Sequence, residues 1–136
     1  MDWNNCLRNR ESKQIAPDRE MAASMRKTSA HKEFSAEKLP LQEETTAAKI
    51  SLGDDAVREL LEALALERGF KIYNHICYTA FLQEILKLHA LAEEFDTLRR
   101  VRNDINYYGK SLTTVEAEVV LQRLGSLLGA LREVRT

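Results

Sequence analysis

Glycine and proline are scarce in this chain, with 5 Gly and 2 Pro among 136 residues. So few turn formers exclude a β-sandwich or barrel with many hairpins. No run of about 18 apolar residues occurs, so no membrane-spanning helix is expected. The opening residues, Met1-Asp2-Trp3-Asn4-Asn5, carry neither a basic nor an apolar leader stretch, so no signal peptide is expected. The two cysteines, Cys6 and Cys77, lie far apart and form no Cys-x-x-Cys motif. Two isolated thiols without a leader point to a reducing compartment and a cytoplasmic protein. Dinucleotide, P-loop and His-Glu-x-x-His motifs are also missing, so no cofactor is expected. His31, His75 and His89 have no metal-ligand spacing, and His75 and Cys77 are two apart and do not share a helix face. No metal site is expected. Asp54-Asp55 and Glu93-Glu94 read as helix-start charges rather than acid–base pairs.

Net charge is nearly absent too, at -1, which by itself points to no polyanionic partner. The sum hides a gradient. Residues 1–50 carry nine Lys/Arg against eight Asp/Glu, residues 51–96 four against nine, and residues 97–136 seven against four. The basic excess of the last third begins with Arg99, Arg100 and Arg102. Such a cluster is either a solvated helix face or a patch aimed at phosphate.

What the chain does have is helical periodicity. Hydrophobic residues make up 44% and charged residues 30%, the composition of one globular domain. Pro17-Asp18 starts a helix that runs toward Phe34 and is broken at Leu39-Pro40. A longer helix is expected over residues 42–68, with a kink or restart at Gly53 and a stop at Gly69. A third over residues 71–88 repeats Tyr73, Ile76, Cys77, Ala80, Phe81, Ile85 and Leu88 at helical steps. A fourth covers residues 94–108 and ends at Gly109, with Val101, Ile105 and Tyr108 turned inward. The last opens on the capping box Thr113-Thr114-Val115-Glu116 and carries the stripe Val120, Leu124, Leu127, Leu131 and Val134. Gly125 and Gly129 share a face of it, which fits close packing within the chain or against a second subunit. No segment reads as a strand. The expected fold is all-α, a four- to five-helix antiparallel bundle over residues 17–136. Residues 1–16 form a polar, loosely attached N-terminal segment with Trp3 as its one anchor.

One stretch is dense in chemistry: Arg99-Arg100-Val101-Arg102-Asn103-Asp104-Ile105-Asn106-Tyr107-Tyr108-Gly109. Arg102 and Asn106 are four apart, as are Asn103 and Tyr107, so each pair shares a face. One reading is a helix–helix hydrogen-bond network of Arg102, Asp104 and Asn106. The other is an anion site, with Arg for phosphate and amide and phenol groups for orientation. Arg102-Asn103 followed by Tyr107-Tyr108-Gly109 resembles the HEPN domain family (higher eukaryotes and prokaryotes nucleotide-binding). The resemblance extends through Gly69-Phe70-Lys71-Ile72-Tyr73-Asn74-His75 and Phe81-Leu82, and covers roughly residues 15–135. It is similar in particular to small prokaryotic, often archaeal, members.

The resemblance implies a four- or five-helix bundle, often a symmetric dimer. It also implies metal-independent ribonuclease activity in many members, including toxins paired with a nucleotidyltransferase antitoxin. The family motif is an Arg, a polar residue, a spacer and a His. The Arg carries over to Arg102 and the polar residue to Asn103, but the His position falls on Tyr107 or Tyr108. An unperturbed Tyr has a pKa near 10 and is a poor base at neutral pH, unlike His. His75 is the nearby imidazole available to stand in. The expected catalytic set is therefore Arg102, Asn103, Tyr107 and Tyr108, and the nucleic-acid contacts Arg99, Arg100, Arg102, Asn106 and His75. The function expected first is binding of RNA or a nucleotide phosphate, without or with weak turnover, at a homodimer groove centred on Arg102. A toxin-type endoribonuclease and a purely structural dimerisation module are the alternatives.

Overall fold

A computed structural model describes residues 1–109 and 111–135, with the backbone but not the side chain of Tyr107. The chain is an all-α bundle with one minimal sheet. Its elements are α1 (Trp3–Arg8), β1 (Ser12–Gln14), α2 (Arg19–Lys38), a 3-10 turn (Glu43–Thr45), α3 (Thr46–Arg68), β2 (Phe70–Ile72), α4 (His75–Ala80), a π-helical turn (Phe81–Ile85), α5 (His89–Tyr108) and α6 (Thr114–Arg132). No described helix is long and apolar enough to cross a membrane.

The signals that start α2 and α6 and stop α2 and α3 act as the sequence leads one to expect, whereas α5, expected from residue 94, begins at His89 and takes Glu93 and Glu94 into its interior. Asp18 caps α2 by accepting the Met21 N–H at 3.0 Å. Leu39, before Pro40, is extended at φ -70° and ψ 128°, because the proline ring disfavours helical backbone in the residue ahead of it. Thr113 and Glu116 close the capping box of α6 at 3.1 and 3.0 Å. Gly69 ends α3 at φ +86°, and a Cβ there would lie 2.9 Å from the Ile15 carbonyl oxygen, so only glycine fits.

Helix α3 is the centre of the molecule. Along α2 the buried residues are small and seven apart, Ala22, Ser29 and Ala36, which lets the two backbones approach closely. The Ser29 hydroxyl donates to the Ala56 carbonyl at 2.6 Å. Arg26 pairs with Glu67 and Lys32 with Glu59, so the partner number falls as the α2 number rises, and the two helices run antiparallel. Buried Lys49 donates to the carbonyls of Ala36 and Leu39, satisfying free acceptors at the end of α2. Phe81, Phe95, Leu60, Leu61, Leu64, Leu128 and Leu131 fill the main core.

Several sequence expectations are corrected. Gly53 neither kinks nor interrupts α3; a Cβ there would sit 3.0 Å from Leu124 Cδ1, so the glycine admits α6. Asp54 and Asp55 are consequently mid-helix residues, not helix-start charges. The helix expected over residues 71–88 begins only at His75, because residues 70–72 pair antiparallel with β1 and the Asn74 side chain caps α4. The N-terminal segment is not loose. Trp3 is buried, its ring meets Phe70 edge-on at 5.2 Å, and its backbone N–H donates to the Glu84 carboxylate at 2.8 Å. Cys6 and Cys77 are not isolated thiols; they form a buried disulfide between α1 and α4. The cysteines therefore supply no argument for a reducing compartment. Finally, Cβ atoms at Gly125 and Gly129 would meet nothing within 4 Å, so neither glycine serves close packing within the chain.

Candidate functional site

The α3–α5 seam holds a charged network. Asp54, with 2% of its side chain exposed, lies 2.8 Å from Arg58 Nε one turn later in α3. Arg102 reaches across from α5, its Nη1 3.2 Å from Asp54 and its Nη2 3.3 Å from Asp55. Arg58 Nη1 in turn contacts His75 Nε2 at 3.2 Å, linking the network to the start of α4. Earlier in α5, Asp96 pairs with Arg99 at 2.9 Å and with Arg100 at 2.7 Å.

Beside this network a cleft of about 460 Å³ opens to solvent. Its α5 wall is Arg99 and Asn103, one turn apart. The facing wall is the β2–α4 connection, Tyr73, Asn74, His75 and Ile76, with Glu11 joining from the N-terminal segment. The connection is held from behind. The Tyr73 N–H donates to the Glu11 carbonyl at 2.7 Å, Asn74 Nδ2 donates to the Glu11 carboxylate at 3.0 Å, and Asn74 Oδ1 accepts the Ile76 N–H at 2.9 Å. The His75 ring stacks on Tyr78.

The electrostatics follow from burial and neighbours. Desolvation raises Asp54 above its ordinary value of 3.8, outweighing the attraction of Arg58 and Arg102, and neighbouring Asp55 adds to the rise. His75 faces the cleft, yet loss of hydration on its packed side lowers it below 6.5. Arg58, Arg102 and Arg99 lower it further, against the single opposing charge of Asp55. With its value lowered, His75 is neutral at neutral pH. Burial pushes the neighbouring Tyr78 phenol up.

The fold thus brings His75, Arg99 and Asn103 to one cleft, from segments well apart in sequence. Arg102 lies behind it, turned to Asp54 and Asp55, and the network it joins runs to α3 rather than to Asp104 and Asn106. Arg100 is exposed and pairs with Asp96. Asn106 is exposed, and Tyr108 is 80% exposed rather than turned inward. The side chain of Tyr107 lies outside the described residues. Sequence reasoning missed Asp54, Arg58, Glu11 and Tyr73. The i, i+4 spacing of Asp54 and Arg58 was a usable signal for the first two. Nothing local marks Glu11, which reaches the cleft through strand pairing. Among the described residues, no group of three or more His, Cys, Asp or Glu could hold a metal ion. No family model, curated protein or solved structure matches the chain.

Proposed function

We propose that the chain is a HEPN-like module that binds a phosphate-bearing ligand, RNA or a nucleotide, in the cleft between α5 and the β2–α4 connection. The observation that carries this reading is the meeting of Arg99, Asn103 and His75, from segments well apart in sequence, at one cleft open to solvent. Arg99 uses only its Nε and one Nη for Asp96, and a guanidinium has five donors, so it keeps N–H groups for an anion. Asn103 orients the ligand. In this reading Arg102 and Arg58 are positioning residues, which fix α5 and His75 through Asp54 and Asp55. Homodimerisation belongs to the proposal through the family resemblance, and light scattering checks it: a monomer removes any groove shared between copies.

The test is titration of a short single-stranded RNA into the oxidised chain at low and high salt. Binding that weakens steeply with salt, and about tenfold with Arg99→Ala, supports the reading; one ion pair or charge-assisted bond is worth that much. Equal affinity for parent and variant contradicts it. A second reading is metal-independent RNA cleavage, in which His75 Nε2 exchanges its contact with Arg58 for a ribose 2′-hydroxyl and takes that proton as the oxygen attacks the adjacent phosphate. The 5′-oxygen leaves and takes that proton from the His75 imidazolium. Cleavage in the presence of chelator, lost in His75→Gln with binding retained, marks that reading; intact RNA excludes it.

A further inference from the structure

The cleft is larger than a phosphate requires, and its far wall has the wrong chemistry for phosphate alone. Tyr73 is 56% exposed and Ile76 40% exposed, and they flank His75 on one continuous surface. Isolated exposed apolar side chains are ordinary, but here two of them and an imidazole line a single polar cleft. We propose that the cleft holds a whole nucleotide unit, with its base stacked on Tyr73 and read at its edge by Asn103, and its phosphate at Arg99. This rests on the phosphate-binding reading above and adds the part of the ligand that gives it identity.

Three features fit the assignment. The backbone that carries Tyr73 is tied down before any ligand arrives, since its N–H is bonded to Glu11, Asn74 is bonded on both sides, and the disulfide at Cys77 ties α4 to α1. An aromatic ring on a tethered backbone has only its own two side-chain torsions to order on stacking, and such stacking tolerates any base. The Asn103 side chain makes no hydrogen bond to the side chain or backbone of another described residue, so its amide presents a donor and an acceptor side by side at the cleft, the complement of a base edge. Glu11 makes its part of the cleft unfavourable for phosphate, which directs the phosphate to Arg99 and leaves the carboxylate to accept from a ribose hydroxyl or a base amino group. The volume of about 460 Å³ lies within the usual range for a small-molecule site.

The experiment is calorimetric titration of the oxidised full chain with adenosine 5′-monophosphate and, as the base-free control, ribose 5-phosphate. The nucleotide is expected to bind more tightly by about five- to a hundredfold, the usual contribution of one stacked base. Tyr73→Ala is expected to erase that preference while leaving ribose 5-phosphate binding unchanged, and Tyr73→Phe to keep it. Tyr73 is exposed, so the variant retains its fold, and Asn103→Ala gives a second reading of the base edge. Equal binding of the two ligands by the parent, or a preference that survives Tyr73→Ala, overturns the base site while leaving the phosphate site standing. If neither ligand binds, the phosphate reading falls and the base site with it.

Discussion

Two helix seams meet on α3 and are built in opposite ways. Against α2 the contact is made by small residues, Ala22, Ser29 and Ala36 facing Ala56 and Ala63, with ion pairs only at the margin. Against α5 the contact contains Asp54, nearly sealed from water, between Arg58 and Arg102. The first seam buries apolar surface at little cost. The second strips water from a carboxylate, and the rise in the Asp54 pKa shows that two guanidiniums do not repay that loss. A small domain keeps such a seam when the charges do something besides holding helices together. Here the charged seam backs an open cleft, and the apolar seam backs none of that cleft's lining residues.

Breaking each seam sharpens the contrast. Asp54→Ala removes the carboxylate that Arg58 and Arg102 share in the seam, while Arg102 keeps Asp55, and is expected to lower stability by about 3 kcal/mol in urea unfolding. Reducing the Cys6–Cys77 disulfide reopens a span of 71 residues and is expected to cost about 2–4 kcal/mol. Amide exchange should then rise first in α1, β1 and the β2–α4 connection, with the α2–α3 seam still protected. On the apolar side, Ser29→Ala removes one hydrogen bond to a carbonyl and is expected to cost about 1 kcal/mol. Gly129→Ala, on an open helix face, is expected to stabilise by up to about 1 kcal/mol. A loss there instead means that a second copy packs on that face.

The pH dependence separates the two titrating groups of the charged seam. His75 is lowered in the folded chain, so its contribution to stability is fully present above 6.5 and is lost as pH falls through its lower folded-state value. Asp54 is raised, so its contribution is present below 3.8 and is lost as pH climbs through its higher folded-state value. His75→Gln should therefore flatten the acid-side loss just below 6.5, and Asp54→Asn should flatten the change above 3.8, each read by urea unfolding across pH.

How much of this was legible in the sequence divides along the same line. The long helices were, because Asp18, Pro40, Gly69, Thr113 and Glu116 act within a few residues of themselves. The β1–β2 pairing was not, since Phe70-Lys71-Ile72 reads as the start of a helix until Ser12-Lys13-Gln14 lies beside it. Cys6 and Cys77 looked isolated because their approach depends on that same pairing. At the site, Arg99, Asn103 and His75 stood out as residue types, but the partners of Arg102 did not. Reading Gly53 as a break put Asp54 and Asp55 at a helix start. With α3 continuous, both face α5 and take up Arg102.

The most direct test of the cleft is a backbone amide NMR titration of the oxidised chain with a short single-stranded RNA. The account predicts shift changes concentrated in residues 73–76 and 99–103, diminishing as salt is added. Changes centred on α6, or none at saturating RNA, would contradict it.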